Sequence, residues 1–311
     1  MTAVTALIYS ATKLLEQAGV SSPQVDAQLL LAHTIGVERS LLLTVSSLTS
    51  EQKLDFEALV ARRANRVPLQ HLTGVAHFRH ISLAVGPGVF VPRPETELLV
   101  EAAIAHLKII PQPRLAADLC AGSGAIALSL ALEVPGTTVH AVELSDDAVK
   151  WLAHNVVDHA AQLEAAGSHV IVHHGNAGDH DLLAKFAGKF AAVVSNPPYI
   201  PNAMIPRDPE ARDHDPAIAL FSGDDGLAAA RDIVLVARDA LAAGGFFGIE
   251  HADVQGESVP NLLNEMTGIW SQVKDNQDYN KLPRFTTALR TQEQPYELRT
   301  QEQPYAENTG R

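Results

Sequence analysis

From Leu115 onward, short apolar runs alternate with helical stretches, and this rhythm constrains the fold more than any other feature of the chain. Strands are predicted over 115–120, 138–142, 170–173 and 191–195, with helices starting at Ala125 and Asp146 between them. A strand, a helix and a second strand in that order place helices on both faces of a parallel sheet. A helix over 226–243, a strand over 246–250 and a last strand near 285–289 complete the pattern. The expectation is an α/β fold whose ligands bind beyond the carboxyl ends of the strands.

The first third reads differently. Residues 3–66 carry apolar positions at helical spacing, as in Val25, Leu29, Leu30 and Ala32, or Leu54, Leu59 and Val60, and Ser21-Ser22-Pro23 marks a helix start. A small helical bundle over 1–74 is therefore predicted, then a β-hairpin linker over 75–91, where weak alternation from Phe78 to Val85 runs into Gly86-Pro87-Gly88. The α/β domain follows over 92–290. Over 291–311 the heptapeptide that begins at Arg290 recurs from Arg299, a polar repeat too short to build a core, which is expected to be a disordered tail.

Composition narrows the function. The chain of 311 residues carries 23 Lys and Arg against 36 Asp and Glu, a net charge of −13, the wrong sign for gripping a long stretch of duplex phosphate. Free DNA is a poor candidate partner, whereas a basic protein remains open. Cys120 is the sole cysteine, so neither a disulfide framework nor a thiolate zinc cluster is expected. No apolar run approaches the ~20 residues of a membrane span. The first residues lack the pattern of a signal peptide, so a soluble, cytoplasmic monomer is expected. His154, His159, His169, His173, His174 and His180 show no helical pair with a carboxylate and are expected at the surface, His173 and His174 on opposite faces of a strand.

Three motifs carry chemistry. Asp118-Leu119-Cys120-Ala121-Gly122-Ser123-Gly124 lies between a strand and a helix, where glycines admit a ligand close to the backbone and the helix start offers free N–H groups. A tight turn alone would also use such residues. Glu143 closes the next strand, where a carboxylate can accept from both hydroxyls of a ribose. A helix cap is the plainer role for an acid there, but Ser145-Asp146 already supplies one, which leaves Glu143 little structural work.

Ser195-Asn196-Pro197-Pro198-Tyr199 ends the fourth strand and is the most specific signal in the chain. Two prolines remove two donors and fix φ twice, so the loop is rigid and its carbonyls face outward. The Asn196 side-chain carbonyl and a backbone carbonyl can then accept both hydrogens of an –NH₂ group, and Tyr199 can pack on a planar substrate. Two aimed acceptors hold a weakly nucleophilic nitrogen facing a methyl sulfonium and favour charge developing on it. Residues 207–215, rich in charge, read either as a solvated loop or as a lid that docks a partner.

With these residues the chain resembles the protein-(glutamine) methyltransferases of peptide chain release factors, the HemK or PrmC family, from about residue 10 to 290. The resemblance rests on Arg66-Val67-Pro68-Leu69-Gln70 with Thr73-Gly74, on Val91-Pro92-Arg93-Pro94-Glu95-Thr96-Glu97 and on the glycine loop. It rests equally on Asn196-Pro197-Pro198-Tyr199, on Asp215-Pro216 with Ala219-Leu220 and Gly223, and on Gly244-Gly245-Phe246 leading to Glu250-His251. It implies a Rossmann-like seven-stranded methyltransferase domain behind a helical domain that docks the partner. It also implies S-adenosyl-L-methionine as cofactor, with S-adenosyl-L-homocysteine as product, and the glutamine of a Gly-Gly-Gln motif in class-1 release factors as target. Asp118, Cys120, Ala121, Gly122, Ser123, Gly124, Glu143 and Asn196 would serve the cofactor, Asn176 and Ala177 its adenine, and Asn196, Pro197, Pro198 and Tyr199 the glutamine, with Asn196, Pro197 and Tyr199 as the catalytic residues. Cys120 and Asn176 depart from the glycine and aspartate common there. Asn-Pro-Pro-Tyr also occurs in enzymes that methylate adenine amino groups, so a nucleic-acid methyltransferase and a non-catalytic adaptor are the alternatives.

Overall fold

The computed structural model describes residues 3–291; the tail expected to be disordered lies outside the described residues beyond Thr291. Four helices open the chain: α1 (Ala3–Gln17), α2 (Pro23–Ile35), α3 (Ser50–Ala64) and the single turn α4 (Leu69–Thr73). Pro23 stands in the first turn of α2, where its missing N–H has no partner to lose. Thr49 and Gln52 close α3 with reciprocal side-chain to backbone bonds of 3.1 and 3.0 Å. The helices bury Leu15, Leu30, Leu31 and Phe56 in a core of their own. Val25 and Leu54, read as part of the apolar faces, are exposed instead; α3 buries Phe56, Val60 and Arg63. That third position is a cation because α3 also faces the second domain, as described below.

A hairpin of β1 (Val75–Phe78) and β2 (Ile81–Ala84) connects the two parts. Arg79 at its turn grips Glu133 through two nitrogens at 2.6 and 2.8 Å. Such a bidentate pair fixes orientation as well as distance.

The sheet has seven strands, in sequence β3 (Arg114–Leu119), β4 (Thr137–Glu143), β5 (His169–His174), β6 (Phe190–Ser195), β7 (Leu241–Glu250), β8 (Trp270–Gln277) and β9 (Pro283–Arg290). Their spatial order is β5-β4-β3-β6-β7-β9-β8, parallel except that β9 runs antiparallel to both its neighbours. One face is covered by α5 (Thr96–Ile109), α6 (Ala125–Glu133), α7 (Ala148–Asp158) and α8 (Ala160–Ala166), around Leu99, Leu107 and Leu128. On the other, α10 (Ala228–Ala240) and α11 (Ser258–Asn264) pack on Phe190, Phe247 and Val193, and the short α9 (Pro209–His214) lies at the rim. The chain leaves β3 towards β4 and β5, then returns to β6 on the opposite side, so strand order reverses between β3 and β6. Ligands in sheets of this kind sit at that crevice.

Two expectations need correcting. The helix predicted to Ala243 ends at Ala240, because Leu241 is buried and pairs with Phe190 in the sheet, so tertiary packing overrides the helix propensity of the alanines. Strand β8, which no apolar pattern in the sequence marks, supplies the seventh strand that the family resemblance implies. His159 is buried, its Nδ1 2.8 Å from the Asn155 carbonyl one turn earlier, rather than at the surface. Among the described residues no helix is long and apolar enough to cross a membrane.

Candidate active site

At the β3/β6 crevice opens a cleft of about 670 Å³. Cys120, Ala121, Gly122, Ser123, Glu143, Asn176, Ala177, Asn196, Pro197, Pro198 and Tyr199 all line it. Asp118 and Gly124 lie behind its wall.

The glycine loop turns at once after β3. Cys120 takes φ +68, a left-handed conformation that costs a residue with a Cβ on the order of 1 kcal/mol and that glycine adopts freely. The departure from glycine at this position therefore keeps the backbone shape and carries its strain. Burial, with the Glu143 and Asp118 carboxylates adding to it, pushes the Cys120 thiol up, which keeps it protonated and inert. Gly122 has φ +56 with nothing within 4 Å of where a Cβ would stand, so the loop is open there. Gly124 has φ +91, and a Cβ would fall 2.7 Å from Leu152 Cδ1. Gly124→Ala is expected to cost about 2 kcal/mol through strain plus overpacking. Urea unfolding checks it, and an unchanged midpoint would contradict the packing described.

Asp118 is fully buried, one oxygen accepting from the Ala127 N–H at 3.0 Å in the first turn of α6 and the other without a partner. Burial pushes its carboxyl up to about 8, reinforced by Glu143 and opposed by the Ala127 bond. The folded value lies above the unfolded one. The folded state is thus unpenalised below the ordinary aspartate range and loses stability as pH rises through about 8. Asp118→Asn keeps an acceptor for Ala127, so its stability is expected to be flatter with pH than the parent's between pH 5 and 9 (roughly the titration window), as thermal melts across that range will read.

Glu143 has more structural work than its sequence position suggested. One oxygen accepts from the Gly122 N–H at 2.8 Å and the other from the Ser145 N–H at 2.7 Å. Each oxygen keeps a further lone pair towards the cleft, so the same carboxylate shapes the loop and can take two hydroxyls. Ser145 Oγ accepts from the Ala148 N–H at 3.3 Å, just ahead of the first turn of α7. Asn155, wholly buried on α7, ties the hairpin to the loop: it exchanges bonds with Ala84 at 2.7 and 3.0 Å and donates to the Ser123 carbonyl at 2.9 Å. Asn176 Oδ1 accepts from the Gly178 N–H at 2.9 Å and holds its own turn, with Ala177 buried beside it.

Asn196 leaves the end of β6 and donates Nδ2–H to Thr96 Oγ at 3.2 Å; Thr96 donates in turn to Glu250 Oε2 at 2.6 Å. Burial pushes Glu250 up to about 7, with the Thr96 bond and Arg284 pulling the other way. The far end of the loop is anchored by Gln255, whose Nε2 donates to the Tyr199 carbonyl at 3.1 Å. Burial, then the Glu250 charge, raises the Tyr199 phenol, so it stays neutral and offers a ring face rather than a base. Thr96, Glu250, Gln255 and Asn155 were missed as site residues. The first two stand inside motifs that carried the family resemblance, but nothing local marks them as partners of Asn196.

Residues 207–215 are not a solvated loop. Asp208 caps α9, Glu210 and Ala211 are buried, and Glu210 reaches across to the bundle, bonding Arg63 at 2.8 Å and Arg66. Arg63 also holds Asp26 at 2.7 Å. Arg93 binds Asp215 at 3.0 Å and Asp208 at 3.4 Å while stacking on Phe90. The segment spans the cleft rim and fastens it to the helical bundle.

A seven-stranded sheet of this order, with a glycine loop after its first strand and Asn-Pro-Pro-Tyr after its fourth, defines a methyltransferase, and residues 84–205 match the methyltransferase small domain. Residues 6–74 match the PrmC N-terminal domain. The chain belongs to the release factor glutamine methyltransferase family. A member from Streptomyces coelicolor is 47% identical over 93% of this chain and 98% of its own, and one from Mycolicibacterium smegmatis is 43% identical over 93% and 99%. The solved release factor-specific protein-(glutamine-N5) methyltransferase of Alicyclobacillus acidocaldarius is 27% identical over 67% of this chain and 99% of its own at a TM-score of 0.40, a likeness too loose to add to the assignment.

Proposed function

We propose that this chain methylates the side-chain amide nitrogen of the glutamine in the Gly-Gly-Gln motif of class-1 peptide chain release factors, with S-adenosyl-L-methionine as donor. The observation that carries the reading is the placement of Asn196: its carboxamide is bound through Nδ2 to Thr96, which leaves Oδ1 as an acceptor on the cleft.

The residues present fit the cofactor. The open backbone at Gly122 and the spare lone pairs of Glu143 suit a nucleoside ribose, and Asn176 and Ala177, on the same cleft, would serve the adenine. Residues 120–124 would hold the remainder, with Asp118 and Gly124 shaping the loop from behind. When bound, the cofactor supplies an electrophilic methyl on a sulfonium.

The protein's own residues do the rest. Asn196 Oδ1 and a carbonyl of the rigid Pro197-Pro198 run accept the two hydrogens of the substrate amide and turn its nitrogen towards the methyl. An amide nitrogen is a weak nucleophile, so orientation and stabilisation of the positive charge that grows on it carry the rate. As the N–C bond forms and the methyl–sulfur bond breaks, the nitrogen becomes acidic and gives up its proton late to solvent, which is why the neutral Tyr199 need not act as base. The helical bundle, fastened to the rim through Glu210, would dock the release factor. The chain would act in the cytoplasm as a monomer, and its charge of −13 suits a basic protein surface and disfavours stable binding to DNA.

Labelled methyl donor offered together with a release factor, ribosomal RNA and duplex DNA tests this directly. Label is expected in the release factor alone; label in nucleic acid would move the reading to an exocyclic amino group.

A further inference from the structure

The Asn196 carboxamide has two ends of opposite character, and only one is useful. An oxygen on the cleft accepts from a substrate amide; an NH₂ there would face the substrate's own NH₂ and repel it. What decides between them lies behind the cleft, in a chain of two bonds. Glu250, at the end of β7, is 2 % exposed, and Thr96, the first residue of α5, is 4 % exposed. Thr96 Oγ is 2.6 Å from Glu250 Oε2 and 3.2 Å from Asn196 Nδ2.

We infer that Thr96 and Glu250 are positioning residues that dictate which end of the Asn196 carboxamide faces the cleft. The inference rests on the methyl-transfer reading above and adds to it the part played by these two buried side chains. An ionised carboxylate only accepts hydrogen bonds, so Thr96 must spend its single hydroxyl hydrogen on Glu250. Its oxygen can then only accept from Asn196, which must present Nδ2 to it and Oδ1 to the cleft. A proton on Glu250 reverses the logic: the carboxylic acid can donate to Thr96, the threonine hydrogen is released, and the flipped carboxamide becomes equally satisfied. The direction of both bonds is thus set at their far end.

The groups facing Glu250 are Arg284 on β9, Arg93 and Glu95 ahead of α5, and Tyr199 after β6. Both arginines favour the ionised form, Glu95 opposes it, and Tyr199 is neutral. Burial pushes the Glu250 carboxyl up to about 7, which brings the switch in direction within a measurable range.

The test compares the full chain with Thr96→Val, Thr96→Ser and Glu250→Gln, reading kcat and KM for release factor from about pH 5.5 to 8.5, a span centred on the Glu250 titration, with cofactor Kd measured alongside. Thr96→Val, close in shape but without the hydroxyl, is expected to lose about 10- to 100-fold in kcat with cofactor Kd unchanged, the scale of a misplaced reacting group. Thr96→Ser is expected to keep kcat within about threefold, since the bonds survive. In the parent, kcat/KM is expected to fall as pH drops through about 7, and in Glu250→Gln that acid limb disappears. A parent-like kcat in Thr96→Val, or an acid limb that persists in Glu250→Gln, overturns the inference. Failure of the parent itself to methylate release factor overturns the reading beneath it, which is a separate result.

Discussion

Asn196→Ala is expected to lower kcat/KM for release factor by about 10²–10³, the scale of removing one preorganised hydrogen-bonding group from a transition state. The loss falls on kcat more than on KM, because the acceptor matters most when positive charge grows on the nitrogen it holds. Cofactor affinity should stay within about twofold, since Glu143 and the glycine loop are untouched and the cofactor gains no charge-bearing contact from a neutral carboxamide. Steady-state kinetics with calorimetric binding of the cofactor separate these. A variant that loses cofactor affinity in parallel with rate would show that Asn196 shapes the pocket rather than holding the substrate.

The second large effect is on stability. Arg63 is buried between Asp26 at 2.7 Å and Glu210 at 2.8 Å, on the seam between the helical bundle and the rim of the cleft. Arg63→Ala leaves Asp26 without its bonded partner and Glu210 with Arg66 as its one remaining arginine, and is expected to destabilise the protein by about 3–5 kcal/mol, the range for one partner removed from a buried pair. Burial by itself would raise Glu210, but its bonds to Arg66, Asp208 and Arg63 outweigh it and hold the carboxyl below the ordinary glutamate range. The folded value is depressed, so this stabilisation is present above the unfolded glutamate range and is lost as pH falls towards the folded value. Urea unfolding at neutral pH checks the magnitude, and a loss under about 1 kcal/mol would mean that the pair is no stronger than a surface bridge. Replacing Asp26, Arg63 and Glu210 together by apolar residues should recover much of the loss.

The strands around the crevice were legible because they are largely buried and read as apolar runs: Ala191 to Val194 is unbroken, and Leu115 to Leu119 is interrupted by Asp118 alone. Strand β8 was not, because it is an edge strand that carries Lys274, Asp275 and Asn276 in succession and shifts register twice against β9. Its strand state is imposed by its partner rather than by its own pattern. The site divides in the same way. The glycine loop, Glu143 and Asn196-Pro197-Pro198-Tyr199 are local signals, each complete within a few residues of a strand end. The supports are not local: Thr96 and Asn196 are 100 residues apart, Thr96 and Glu250 are 154 apart, and Arg63 meets Glu210 across 147. No spacing rule links such residues, and each reads on its own as an ordinary cap or surface charge. The charge of segment 207–215 left a solvated loop and a partner-docking lid equally open for the same reason, and only the fold brings Arg63, Arg66 and Arg93 to it.

The most direct measurement is peptide mass spectrometry of a class-1 release factor, produced without its own methyltransferase and incubated with this chain and S-adenosyl-L-methionine. One methyl on the side-chain nitrogen of the Gly-Gly-Gln glutamine, absent when Asn196→Ala replaces the parent, is the predicted result. A release factor left unmodified by protein that demonstrably binds the cofactor, or a methyl on any other residue, would contradict the account.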